Sequence, residues 1–168
     1  MFRPMRLFSF ASMAVLGAVL CWPVRVSANW PEWRGPGGQG VTTERDLPLR
    51  WSATENIRWK APLPDRGNAT PVIWGDRIFV PQATEKDRMR SLLCLSRQDG
   101  RVLWQKGVKY EGKEKTHPDN PYCSGSPAVD GERVIVCHGS AGVFCYDLEG
   151  RELWRRDLGP QSFEWGNA

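Results

Sequence analysis

Two short stretches decide how this chain reads: "DGRVLWQK", Asp99–Lys106, and "EGRELWRR", Glu149–Arg156. Each places a turn glycine, a basic residue, a leucine and a tryptophan at the same offsets. The material before each stretch also matches. "ATPVIWGDRIFVPQAT" and "RSLLCLSRQDGRVLWQKGV" align with "SGSPAVDGERVIVCHGS" and "AGVFCYDLEGRELWRRDLG". Pro71 falls on Pro127, Gly75 on Gly131, Cys94 on Cys145, Gly100 on Gly150 and Trp104 on Trp154. Upstream, "NIRWKAPLP" around Trp59 resembles the tail of one more unit. The tryptophans thus recur about every 45–50 residues, the spacing of a repeat architecture.

Within a unit the apolar runs are short and rich in β-branched and aromatic residues: "IFV" or "VIV", then "LLCL" or "VFCY". Gly, Pro, Asn and Asp break the chain every few residues, and no helical periodicity survives. Gly100 and Gly150 each close a turn that wants one residue at positive φ. Leu103 and Trp104 are neighbours in a strand, as are Leu153 and Trp154, so they point to opposite faces and both faces are expected to be buried. Sheets stacked in series have that property. The fold class expected is all-β: an incomplete β-propeller of four-stranded antiparallel blades, about two blades plus one outer strand at Trp59. The tryptophans would then be wedges between blades, with Gly100 and Gly150 as their seats.

"CLSRQDGRVLW" and "CYDLEGRELW" resemble the tryptophan-docking repeats of the pyrroloquinoline quinone (PQQ)-like propeller superfamily. That group includes periplasmic quinoprotein alcohol and glucose dehydrogenases and a lipoprotein scaffold of outer-membrane β-barrel assembly. Gly100 with Trp104 and Gly150 with Trp154 fit its pattern. Asp147 lies one residue late for the family's aspartate, Ser96 replaces that aspartate in the first copy, and Asp99 and Glu149 stand where threonine is usual. "WPEWRGPGGQGV", "GERVIV" and "DLGPQSFEWGNA" are similar to an exported, planctomycete-type branch. Because a propeller closes with about four to eight blades, the chain reads as the front part of a longer one. The resemblance implies either a binding or scaffold module at the cell envelope or part of a quinoprotein dehydrogenase using PQQ and calcium. A dehydrogenase would bring a vicinal Cys-Cys pair, which this chain lacks.

Residues 1–28 read as a secretory signal: Arg3 and Arg6, an apolar stretch from Leu7 to Leu20, and Val26 and Ala28 in the spacing of a cleavage site. Residues 29–52 form an N-terminal arm and 53–168 the repeats. An exported, periplasmic or secreted protein follows, with no transmembrane helix in its mature part. The excess of 23 basic over 19 acidic residues shrinks to near balance once Arg3, Arg6 and Arg25 leave with the signal. Nothing in the charge therefore calls for a nucleic acid. An envelope protein or a small molecule is the expected partner.

The long polar loop "KYEGKEKTHPDNPYCSGS", Lys109–Ser126, joins the units and offers His117, Asp119, Asn120 and Tyr122 as a ligand-facing set. Pairs such as His-Pro and Asn-Pro also form turns without any ligand, and His117 with Asp119 is too sparse for a metal. His138, in the tight turn "CHGSAG", is expected to be exposed. Cys94 and Cys145 read as small buried strand residues. Cys137 and Cys145 flank "HGSAGVF" and could meet across a hairpin, a geometry that seldom suits a disulfide. Trp30, Trp33 and Trp51 are expected to pack the arm against the propeller, with a sugar-stacking platform as the other option. No nucleophile elbow, phosphate loop or zinc spacing appears. No catalytic residue is assigned.

Overall fold

A computed structural model describes residues 28–162. The expected signal, apart from Ala28, and the closing "FEWGNA" lie outside the described residues. Two four-stranded antiparallel sheets follow one another along the chain. The first holds β1 (Val72–Trp74), β2 (Arg77–Thr84), β3 (Met89–Ser96) and β4 (Val102–Lys109). The second holds β5 (Ala128–Val129), β6 (Arg133–Cys137), β7 (Val143–Asp147) and β8 (Glu152–Arg156). In both, the strands neighbour each other in chain order. The all-β propeller-blade architecture is therefore as the repeats indicate. The Trp59 segment, expected as a further outer strand, forms no ladder, because the described residues contain no strand for it to pair with.

Alternation places the core. In β3, Leu92 and Cys94 face one way and Leu93 and Leu95 the other. The first pair joins Val72 and Phe79 against Val129, Val134, Val136, Phe144 and Tyr146 of the second sheet, a single apolar layer between the two leaves. The second pair packs with Ile78 and Val80 on the opposite face of the first sheet. The β3 strand is thus buried on both sides, as a middle layer must be. Pro81 sits in β2 beyond the end of β1, where no inner strand needs its missing N–H.

The outer strands depart from the expectation of burial on both faces. Cys94 pairs with Trp104 and Leu95 with Val102, so Leu103 is an extra residue; Leu153 is its counterpart between Glu152 and Trp154. The same bulge in both sheets turns the two leucines outward, and both are exposed. Trp104 goes inward, whereas Trp154 is 37% exposed. Trp104 lies between Phe79 and Tyr146, with ring centroids 5.8 and 6.1 Å away.

The arm adds a short seam. Trp30 exchanges backbone hydrogen bonds with Ile73 of β1 (2.9 and 2.8 Å), and Val129 of β5 donates to the Pro31 carbonyl (2.9 Å). One dipeptide therefore crosses the inner strands of both leaves. Trp30 is half-buried there, whereas Trp33 and Trp51 are 62% and 69% exposed and do not pack as expected.

At Gly150, φ is +84°, and a Cβ would come within 2.8 Å of the Trp104 indole. Gly150→Ala combines a left-handed backbone with that clash and is expected to cost about 1–3 kcal/mol. Urea denaturation of the full chain, with Gly159→Ala as a positive-φ control in open space, checks this. Equal losses in the two variants would mean that the indole contact contributes nothing.

Candidate functional site: a polar cavity at the end of the inter-sheet core

The apolar layer between the leaves ends abruptly at one edge. On β3 the alternation Cys94, Leu92 continues to Arg90. On β6 the alternation Val134, Val136 continues one residue past the strand to His138. Both polar residues therefore occupy core-facing positions. Arg90 and His138 are 4% and 2% exposed. The expectation of an exposed His138 is wrong for this reason: the period of two carries its ring inward, against Phe144 at 5.5 Å between centroids. The short 3-10 turn Gly139–Ala141 then follows it.

The long loop closes over this edge. Glu114 places Oε2 3.8 Å from Arg90 Nη2, with both side chains nearly inaccessible. Its other oxygen accepts the Ser140 N–H at 2.6 Å. The Tyr122 ring lies under the guanidinium, 3.6 Å from its carbon to the ring centre, and the phenol donates to the Glu114 carbonyl at 2.9 Å. Beyond β8, the Gln161 N–H donates to the Ser140 hydroxyl at 2.7 Å. Loop, turn and trailing segment are tied together around a cavity of about 240 Å³ that Arg90, Glu114, Tyr122, Cys123, His138 and Gln161 help to line.

Cys123 is held at φ +60°, a conformation that costs a non-glycine residue about 1 kcal/mol or more. Its Sγ lies 3.5 Å from His138 Nδ1. The pairing has the outline of a nucleophile and its base, but the electrostatics run the other way. Burial pushes the Cys123 thiol up to about 12. Burial first, and the Arg90 charge second, pull the His138 imidazole down to about 3. Both groups are neutral near pH 7, so the pair stores no thiolate.

The four loop residues singled out from the sequence separate here. Tyr122 lines the cavity. His117, Asp119 and Asn120 form a turn at the surface: Asn120 N–H donates to the His117 carbonyl at 2.9 Å, and Asp119 N–H to His117 Nδ1 at 3.2 Å. Asn68 and Arg66 brace the turn through the Asp119 and Pro118 carbonyls. Sequence reading missed Arg90, Glu114, Cys123 and His138. Period-two continuation of the two apolar strands would have found Arg90 and His138, but nothing in the loop marks Glu114 or Cys123.

The tryptophans take related positions in the two sheets. Trp59 Nε1 donates to the Arg97 carbonyl and Trp104 Nε1 to the Leu148 carbonyl, both at 3.0 Å. Each acceptor lies three residues beyond the equivalent cysteine. Each indole covers the turn glycine, Gly100 or Gly150, at distances a Cβ could not share. Trp154 is 37% exposed. All four described cysteines carry free thiols. Cys137 pairs with Val143 and Cys145 with Ile135, so the hairpin does not bring Cys137 opposite Cys145.

A bound PQQ with calcium would need several oxygen ligands for the ion. The cavity's carboxylate is committed to Arg90 and the Ser140 N–H, and no group of three metal-ligating side chains occurs among the described residues. The residues present do not fit that cofactor pair.

Folding lowers the His138 pKa from 6.5 to about 3. Between those values the unfolded chain binds a proton that the folded chain refuses. This contribution to stability is complete above the unfolded value and is lost as pH falls through the window, with a limiting slope of about 1.4 kcal/mol per pH unit. Asp130 and Asp147 are held below 3.8 by backbone N–H groups, of Glu132 and Arg151 first, and so act only in more acid solution. Urea denaturation at pH 7 and pH 5 should show the intact chain losing stability and His138→Phe nearly insensitive. Parallel slopes would place the titration elsewhere.

Residues 37–162 match the family described as outer membrane protein assembly factor BamB. Among solved structures, BamB from Moraxella catarrhalis is similar at 22% identity and a TM-score of 0.42, covering 60% of this chain and 26% of that one. The chain therefore spans about a quarter of that protein's length. No curated protein matches. With three quarters of its length inside the family match and two four-stranded leaves in the structure, the chain belongs to the BamB family of PQQ-like β-propeller proteins.

Proposed function

We propose that this chain is an exported binding or scaffold module of the cell envelope that engages a protein partner and carries out no chemistry of its own. Family membership supports the propeller-scaffold half of this reading. The observation that carries the non-catalytic half is the Cys123–His138 pair: a thiol and an imidazole 3.5 Å apart, both kept neutral by burial and closed over by the loop. In this reading Trp59, Trp104 and Trp154, with Gly100 and Gly150, are structural docking elements. The turn of His117, Asp119 and Asn120 is the partner-facing edge. Asp119, whose side chain is 94% exposed, is its most accessible point.

A photo-crosslinking residue at Asp119 should capture an envelope protein, whereas the same probe at Asp99, at the opposite end of the sheets, should not. Titration with PQQ and calcium, followed by a dye-linked alcohol oxidation assay, should give no turnover. Equal capture at both positions would end the assignment of the loop. Saturable PQQ binding with turnover would replace the scaffold with a dehydrogenase.

A further inference from the structure

Two buried polar atoms among the described residues have no hydrogen-bond partner, and both belong to residues lining the cavity: Arg90 Nε and His138 Nε2. An unpaired buried N–H is costly, about 1–3 kcal/mol, so two at one site point to something that accepts from them. The His138 proton can be placed from its neighbour. Taken with the thiol donating to the imidazole nitrogen, the stronger acceptor of the two, the 3.5 Å Sγ–Nδ1 contact leaves the single proton of the neutral ring on Nε2. Both unpaired atoms are then donors.

What fits is constrained by charge and shape. Glu114 pairs with Arg90 at Nη2 and the Tyr122 ring covers the guanidinium face, so neither meets Arg90 Nε. A carboxylate has two acceptor oxygens and one negative charge. A primary amide would turn its own N–H₂ toward the second donor. A doubly charged anion would be set against the Glu114 carboxylate in the same enclosure. A cation would meet Arg90, while both Glu114 oxygens are already engaged. Leu158 and the Tyr122 ring give the cavity an apolar side, and its volume of about 240 Å³ is several times the roughly 30 Å³ of one liquid water.

We propose that this cavity binds a small monocarboxylate, its two oxygens accepting from Arg90 Nε and His138 Nε2 and its alkyl end lying toward Leu158. The site is separate from the surface turn assigned to a protein partner, and neither assignment depends on the other.

The test is a titration of the full chain, labelled with ¹⁵N-histidine, using sodium propionate and, in parallel, propionamide. Propionate should shift the His138 Nε2 resonance saturably and leave that of His117 unmoved, and propionamide should not saturate. By calorimetry, His138→Phe should bind propionate about tenfold more weakly, the loss of one hydrogen bond to a charged group. If that variant does not fold, the resonance titration of the intact chain decides alone. Equal response to the amide, no response to either compound, or unchanged propionate affinity in a folded His138→Phe variant would overturn the proposal.

Discussion

An indole resting on a glycine turn of the following sheet is the contact on which the rest of this structure depends. Trp104 leaves β4 of the first leaf, covers Gly150 in the second and donates its N–H to Leu148. The flat ring makes dispersion contact with backbone, which no side chain on Gly150 could permit, and its polar edge is satisfied. Once the outer edge is fixed in this way, Phe79, Leu92 and Cys94 meet Val134, Val136 and Phe144 in a continuous layer. Trp59 over Gly100 repeats the arrangement on the preceding face. The bulge at Leu103 serves the same end, since it shifts Trp104 relative to the strand that precedes it; Leu153 makes the same bulge before the exposed Trp154.

The cavity is a consequence of where that layer stops. Two strands from different leaves run out of apolar residues at the same edge, and the next core-facing positions are held by Arg90 and His138. Neither could be buried there alone. Glu114, Tyr122 and Cys123, delivered by the long loop, supply a countercharge, an aromatic face and a hydrogen-bond partner. The loop is thus positioned by polar groups at the end of the core as well as by its length. Its outer turn, with His117 and Asp119, lies at the surface, braced by Arg66 and Asn68.

The repeat made most of the fold legible. Period-two runs, turn glycines and the fixed tryptophan locate the second, third and fourth strands of each unit, because each signal is local and occurs twice; the short inner strands β1 and β5 carry no such signal. What escaped depends on contacts between distant residues. Leu103 and Leu153 look like core residues until the bulge is known. His138 looks like a turn residue until its phase with Val134 and Val136 is counted. Of the loop residues, Tyr122 reaches the cavity and its three neighbours do not, a division that composition cannot supply. Glu114 was invisible for a simpler reason: it is one of many charged residues in a polar loop, and only Arg90, far away in sequence, gives it a role.

The Trp104 indole is clamped between two leaves by ring contacts and by its hydrogen bond. Hydrogen exchange at the indole N–H groups, followed by NMR, reads that clamp directly. Trp104 Nε1–H and Trp59 Nε1–H should exchange far more slowly than those of the exposed Trp33 and Trp51. Exchange of Trp104 at the rate of those two would contradict it.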